Sequence, residues 1–289
     1  MKIIRIPVIL GMIFLGLCSC NSVKSTTTTN SSQLTSQNNS QTQSTVKIGG
    51  SSSTVPIMKS LAQAYQSQNK TTKIEFISVS QSEGAIAAQK NSIVDIASSS
   101  HKLKPEEDNG KIQYRELAKD MLIVATHNSV EGVTNVTTAQ LKSIYAGKIS
   151  NWKELGGPNA QIVVLDRPED ESAKKLLRKY YLGKDKTTTK AVILNKEGEL
   201  IDALQSTPYS IGAFSFAYSV SNQLPVNRLS LNGVAPNKEN LTNGKYQMVR
   251  HIGLIWNKAP SPTTEKFINF IFSGEGTKLL QNKGFIPSN

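Results

Sequence analysis

Apolar positions recur along the chain in two alternating rhythms. The segment "TVKIGG" reads as a short buried strand closed by a glycine turn. In the next segment, "PIMKSLAQAYQSQN", Ile57, Leu61 and Tyr65 share one helical face, with Met58 and Ala62 beside them. Pro56 suits the first helical position, where a backbone N–H has no partner anyway. "KIEFISVS" alternates as a strand, "EGAIAAQK" is a short helix, and "SIVDIASSS" is a strand that runs into a polar turn. This order of strand, helix, strand, helix and strand predicts a parallel α/β sheet.

The same alternation continues downstream. "DMLIVATHNSV", "AQIVVLDR", "YSIGAFSFA" and "HIGLIWN" read as strands. "TTAQLKSIYAGK" reads as a helix with Leu141, Ile144 and Tyr145 on one side. "SAKKLLRKYYL" and "ELIDALQS" read as further helices, and "TTEKFINFIFSGEGTKLLQNKG" as a helical pair broken at Ser273-Gly274. No tandem repeat interrupts the pattern.

The first 44 residues follow a different rule. "MKIIR" supplies positive charge and "IPVILGMIFLGL" an apolar stretch too short for a comfortable membrane span, so residues 1–20 read as a signal peptide. Both cysteines, Cys18 and Cys20, lie here, which leaves the folded part with no disulfide and no cysteine-based metal site. "LCSC" resembles a bacterial lipobox, which implies cleavage before Cys20 and lipid on that residue. The alternative is an ordinary signal cleaved after a small residue. Residues 21–44 are almost entirely Ser, Thr, Asn and Gln, have little to bury, and are expected to form a disordered tether.

The formal charge of +12 suits an anionic ligand, an anionic membrane surface or nucleic acid. Lys and Arg are scattered without a dense basic run, which argues against nucleic acid. Much of this charge is expected on solvated faces.

Three strand ends share one chemistry. Gly49-Gly50-Ser51-Ser52-Ser53-Thr54, Ser80-Gln81-Ser82-Glu83-Gly84 and Ser98-Ser99-Ser100-His101 each place small hydroxyls after an apolar strand, the first two at a helix start. Helix N-termini expose unpaired N–H donors and partial positive charge. Neutral hydroxyls add donors without fixed charge, so such loops can seat a tetrahedral oxyanion. In open α/β sheets these loops lie where ligands bind. Capping is the competing reading: Ser80 and Glu83 fit a capping box, and Ser53 or Thr54 is a good N-cap. Arg167, between a buried strand and a helix, is a fourth candidate. A guanidinium can hold an oxyanion in bidentate fashion, or form a structural salt bridge with Glu169, Asp170 or Glu171.

Catalytic readings find less support. The histidines, His101, His127 and His251, have no metal-ligand spacing. There is no nucleophile elbow, and "GGSSST" lacks the ending of a P-loop. No metal or cofactor is expected. A serine hydrolase with a cleft serine stays open as the reading from another class.

Taken together, "GGSSSTVPIMKSLAQAY", "VDIASSSHKLKPEE", "TTAQLKSIYAGKISNWKELGG", "YSIGAFSFAYS" and "FINFIFSGEGTKLLQNKGFIP" resemble the phosphate-binding proteins of bacterial ABC-type phosphate importers. The resemblance spans nearly the whole folded part, and "LKSIYAGKISNWKEL" is its most specific segment. It implies a two-lobed α/β periplasmic-binding-protein fold of type II, with two crossover strands near "DMLIVATH" and "MVRHIGLIW" and a ligand cleft. Lobe 1 would comprise residues 45–124 plus 252–289, and lobe 2 residues 125–251. By position it implies ligand contacts at Thr54, Val55, Gln81, Ser82, Ser100 and Arg167; Ser53 and Ser99 of the same loops, and Glu171 and Ser172 after the arginine, are further candidates read from the residues themselves. Phosphate is the implied ligand, a membrane permease the implied partner, and an extracytoplasmic, lipid-anchored monomer the implied state.

One segment departs from the family. After the arginine, relatives often read Gly-Ser-Gly-Thr; here the chain has Glu169-Asp170-Glu171-Ser172-Ala173. Three carboxylates would repel an anion. One could instead accept the proton of monohydrogen phosphate and so reject sulfate, which brings none. If the acids face solvent instead, the pocket suits another oxyanion such as sulfate, tungstate or molybdate.

Overall fold

The computed structural model describes residues 43–79 and 81–288. The signal segment, Cys20, the tether as far as residue 42, and Ser80 with its expected capping box lie outside the described residues. The first strand, β1 (Ser44–Gly50), begins one residue inside the stretch read as tether.

From β1 the chain runs through α1 (Val55–Gln68), β2 (Thr72–Ile77), α2 (Gln81–Lys90) and β3 (Ile96–Ser99). It then forms β4 (Ile112–His127), β5 (Asn135–Val136), α3 (Thr138–Tyr145), β6 (Val163–Asp166) and α4 (Ser172–Leu177), which a π-helical turn over Arg178–Leu182 continues. There follow β7 (Val192–Ile193), α5 (Glu197–Ser206), β8 (Ser210–Ser215), α6 (Phe216–Ser221), β9 (Val226–Arg228), β10 (Ser230–Leu231) and α7 (Lys238–Thr242). The last elements are β11 (Val249–Asn257), α8 (Pro262–Ile271), α9 (Gly274–Asn282) and β12 (Ile286–Pro287).

The main sheet has the order β2-β1-β3-β11-β4-β8-β6-β7, with β12 and β9 also on β4. Strands β1, β2 and β3 pair in parallel at one end, and β6, β7 and β8 in parallel at the other. Between them the first part of β4, Ile112 to Met121, pairs antiparallel with the whole of β11. Met121 is the last β4 residue paired with β11, and from Leu122 onward β4 pairs with β8 instead. These two strands thus carry the chain from one half to the other. The first begins at Ile112, earlier than the apolar run "DMLIVATH", because "IQYREL" alternates between buried and open positions. The register slips between Ile252 and Gly253. A Cβ on Gly253 would lie 2.1 Å from the Tyr114 ring, so only glycine lets that ring cross the bulge.

Each half has its own core. Val46, Ile48, Leu61, Leu254 and Phe267 are buried together around β1, α1 and α8. Leu122, Leu141, Tyr145, Trp152 and Leu177 form the other. Trp152, from the family-like "ISNWKEL" segment, is a core anchor: it is fully buried, and its Nε1 donates to the Tyr209 carbonyl at 2.9 Å.

Candidate anion-binding site

The loop after β1 is held by its own hydroxyls. Thr54 is fully buried at the N-cap of α1 but makes no side-chain cap. Its Oγ1 lies 2.8 Å from Ser98 Oγ and 3.2 Å from Ser51 Oγ. The Thr54 and Val55 N–H groups both donate to the Ser51 carbonyl. Thr54 therefore ties the first loop to β3, and the capping expected of its hydroxyl is not found. A Cβ on Gly50 would come within 2.2 Å of Ser98 Oγ, so glycine is what admits this hydroxyl cluster.

The second and third loops meet. Gln81 opens α2 with a left-handed φ of 53°, a conformation disfavoured for a side-chain-bearing residue. Ser82, buried behind it, accepts the Ser100 N–H at 3.0 Å, and the two hydroxyls lie 3.1 Å apart. Ser99 is turned the other way. Its hydroxyl donates to the His101 carbonyl and accepts the His101 N–H, so it belongs to the turn.

Arg167 follows β6 and is 3 % exposed. Its Nη2 donates to Ser52 Oγ at 3.3 Å and to the Asn195 carbonyl at 3.2 Å, and forms an ion pair with Glu171. Its Nε and Nη1 are buried with no hydrogen-bond partner among the described residues, and the same holds for Ser172 Oγ. Buried donors of this kind are costly unless something accepts from them.

The three acids separate. Glu169 is exposed and pairs with Arg178 at 2.6 Å, Asp170 is exposed, and Glu171 is buried. One Glu171 oxygen pairs with Arg167 and accepts from Ser52 at 3.1 Å, while the other accepts the Ser172 N–H at 3.1 Å as the cap of α4. Both readings of Arg167 thus meet in one geometry, a salt bridge on one side and free donors on the other.

Two cavities flank this knot. One of about 300 Å³ is lined by Gln81, Ser82, Ser100 and Ser172, with Lys175 and Lys179 on its wall. The other, of about 280 Å³, is lined by Ser52, Ser53, Ile57, Glu197 and Tyr218. Lys175 reaches across the first to Glu83 at 2.9 Å. Burial alone would raise the Glu83 carboxyl, but the Lys175 hydrogen bond and charge outweigh it and hold Glu83 below its ordinary value. His101 and His251 line the first cavity beside Ser82 and Ser100, but the ring nitrogens pair elsewhere: His101 Nε2 with Glu107, His127 Nδ1 with Ser129 and His251 Nδ1 with Glu116.

Sequence reasoning missed Ser52, which bridges Arg167 and Glu171. It also missed a buried triad in which Arg250 on β11 binds Asp120 on β4 at 2.8 Å and Glu197 at the start of α5 at 2.8 Å. Asp120 and Arg250 lie directly opposite in register. No local sequence signal pairs residues so far apart.

Residues 35–275 match the family model described as the PBP superfamily domain. The chain belongs to the PBP superfamily. Among its relatives is the phosphate-binding protein PstS of Borreliella burgdorferi, 30% identical over 257 residues that cover 86% of this chain and 91% of that one. A solved structure from Clostridium perfringens, a substrate-binding protein assigned to a phosphate ABC transporter and holding phosphate, superposes with a TM-score of 0.75 at 28% identity, covering 85% of this chain and all 100% of that one. An ABC-type phosphate transport receptor from Vibrio cholerae gives a TM-score of 0.64 at 26% identity, over 84% of this chain and 99% of that one. The superfamily fold expected from the sequence, an α/β binding-protein architecture, is borne out.

Proposed function

We propose that the protein captures inorganic phosphate outside the cytoplasm and delivers it to the membrane permease of an ABC importer, without catalysing a reaction. The observation that carries this reading is the buried guanidinium of Arg167, whose Nε and Nη1 have no acceptor among the described residues. An oxyanion is the acceptor to which two such N–H donors and a buried serine hydroxyl would donate together. The relatives named for phosphate binding support phosphate as that oxyanion.

In this reading the cleft lies between a lobe of residues 45–124 plus 252–289 and a lobe of residues 125–251. Arg167 and Ser172 are the principal contacts on the second lobe, with Ser52, Ser53, Ser82 and Ser100 facing them from the first. Glu171 accepts the proton of monohydrogen phosphate, while Thr54 and Ser99 hold the loops in shape. Cys20 carries lipid and tethers the folded part to the outer face of the membrane. The imidazole nitrogens of His101 and His251 are engaged by Glu107 and Glu116, and that of His127 by Ser129, instead of by a serine of the three loops, which counts against a serine hydrolase.

Thermal unfolding against a panel of oxyanions tests the ligand. Phosphate should raise the melting temperature more than sulfate, molybdate or tungstate at equal concentration; a larger rise with one of the others would reassign it. Cys20→Ala should release the protein from membranes or leave its precursor uncleaved.

A further inference from the structure

The sequence offers Lys174 and Lys175 as an ordinary surface pair at the start of a helix, but only Lys175 is exposed. Lys174 is 0% exposed. It lies on the helical face of Leu177 and Tyr181, both buried, at the spacing of i, i+3 and i+7. A buried ammonium is strongly unfavourable unless it is paired and hydrogen-bonded. Lys174 Nζ forms an ion pair with the buried Asp166, has the exposed Glu169 carboxylate 3.8 Å away, donates to Thr187 Oγ1 at 2.8 Å, and lies 5.5 Å from the centre of the Tyr145 ring. Asp166 itself is 2% exposed.

The other oxygen of Asp166 accepts the main-chain N–H of Arg167 at 2.8 Å. The Asp166 carbonyl accepts from Leu194 at 3.0 Å, which brings the next residue, Asn195, to the Arg167 guanidinium. Asp166 therefore fixes both the backbone that carries Arg167 and the strand end that supplies one of its partners. We propose that Lys174 is a positioning residue for anion binding, acting through Asp166 to hold the main chain at Arg167 and to neutralise a carboxylate next to the anion seat. The inference rests on the reading that Arg167 holds phosphate. Without Lys174, the buried Asp166 charge would repel the anion and would no longer be held in place to orient the arginine.

The test compares phosphate affinity by calorimetry with melting temperature for the full chain and three variants. Lys174→Met should weaken phosphate binding by at least about tenfold, the scale of one lost charge-assisted contact. Asp166→Asn/Lys174→Met removes both charges of this pair and keeps an acceptor for the Arg167 N–H; affinity should return to within a few-fold of wild type. Asp166→Ala/Lys174→Met is equally uncharged but lacks that acceptor, and should stay at least about tenfold weak even if its melting temperature recovers. A merely structural role would make both double variants bind alike, in step with their stability. Equal affinities in the two, or wild-type affinity in Lys174→Met, would overturn the proposal. If Lys174→Met does not fold, the two double variants decide. Absence of phosphate binding in the wild-type protein would instead count against the underlying reading of Arg167.

Discussion

Ser52 and Glu171 lie 119 positions apart in the chain, yet the Ser52 hydroxyl donates to Glu171 Oε1 at 3.1 Å. Because Arg167 binds both, the loop after β1 is fastened to the loop after β6 through a buried carboxylate. An ionised carboxylate beside an anion seat tolerates a ligand that brings a proton and repels one that does not.

Glu171→Gln should therefore narrow the discrimination between phosphate and sulfate, raising sulfate affinity relative to phosphate by about tenfold, the scale of a charge-assisted hydrogen bond. Competition calorimetry with the two anions measures this. If sulfate is excluded as strongly as before, discrimination lies elsewhere in the cleft.

The hydroxyl pair Thr54 and Ser98, 2.8 Å apart and both fully buried, should behave as a unit in stability. Thr54→Val leaves the Ser98 hydroxyl short of a partner and should cost about 1–3 kcal/mol in denaturant unfolding. Ser98→Ala should cost a similar amount, and the double variant less than the sum of the two. Strict additivity would mean that the contact contributes nothing. A helix cap would involve Thr54 alone, so the coupling with Ser98 separates the two roles.

The Arg250 triad makes a prediction in pH. Burial would raise the Glu197 carboxyl, but the charge and hydrogen bonds of Arg250 outweigh it and hold Glu197 below its ordinary 4.5. Its contribution to stability is full above that value and drains as the pH falls through its lower folded value. Asp120 works in the opposite sense. Burial keeps it above its ordinary 3.8 despite Arg250, so its contribution is full below 3.8 and is lost as the pH rises through its folded value. In the wild-type protein the two therefore act in opposite directions. Arg250→Met leaves both carboxylates without their hydrogen-bonded counter-charge, with only the more remote Arg167 still acting on Glu197, and should cost about 3–5 kcal/mol at neutral pH. That deficit should shrink on acidification from about pH 7 to pH 4, as the carboxylates take up protons. A deficit independent of pH would show that the triad acts through packing alone.

Much of this was legible in the chain, for reasons that differ from residue to residue. Buried parallel strands such as "VKIGG" and "AQIVVLDR" announce themselves as apolar runs, and Arg167 stands out because a charge follows one of them. The first half of β4 was hidden because "IQYREL" alternates polar and apolar positions beside a run that does not. Ser51, Ser52 and Ser53 are chemically identical in sequence; only the turn of the loop sends Ser52 to Arg167 and Ser53 to its neighbour Ser51. Lys174 was legible in principle, since it shares a helical face with Leu177 and Tyr181, but a Lys-Lys pair reads as surface. The Asp120–Arg250 pairing depends on strand register, which no local pattern encodes.

The most direct test of the account is calorimetric titration of phosphate into Glu171→Gln and into Arg167→Ala/Glu171→Gln, two proteins that differ only at the arginine and leave no stranded carboxylate at the site. The account predicts one phosphate bound per chain in the first, and a loss of at least about tenfold in affinity in the second, corresponding to roughly 1.5–3 kcal/mol for a charge-assisted contact. Equal affinity with and without Arg167 would contradict it.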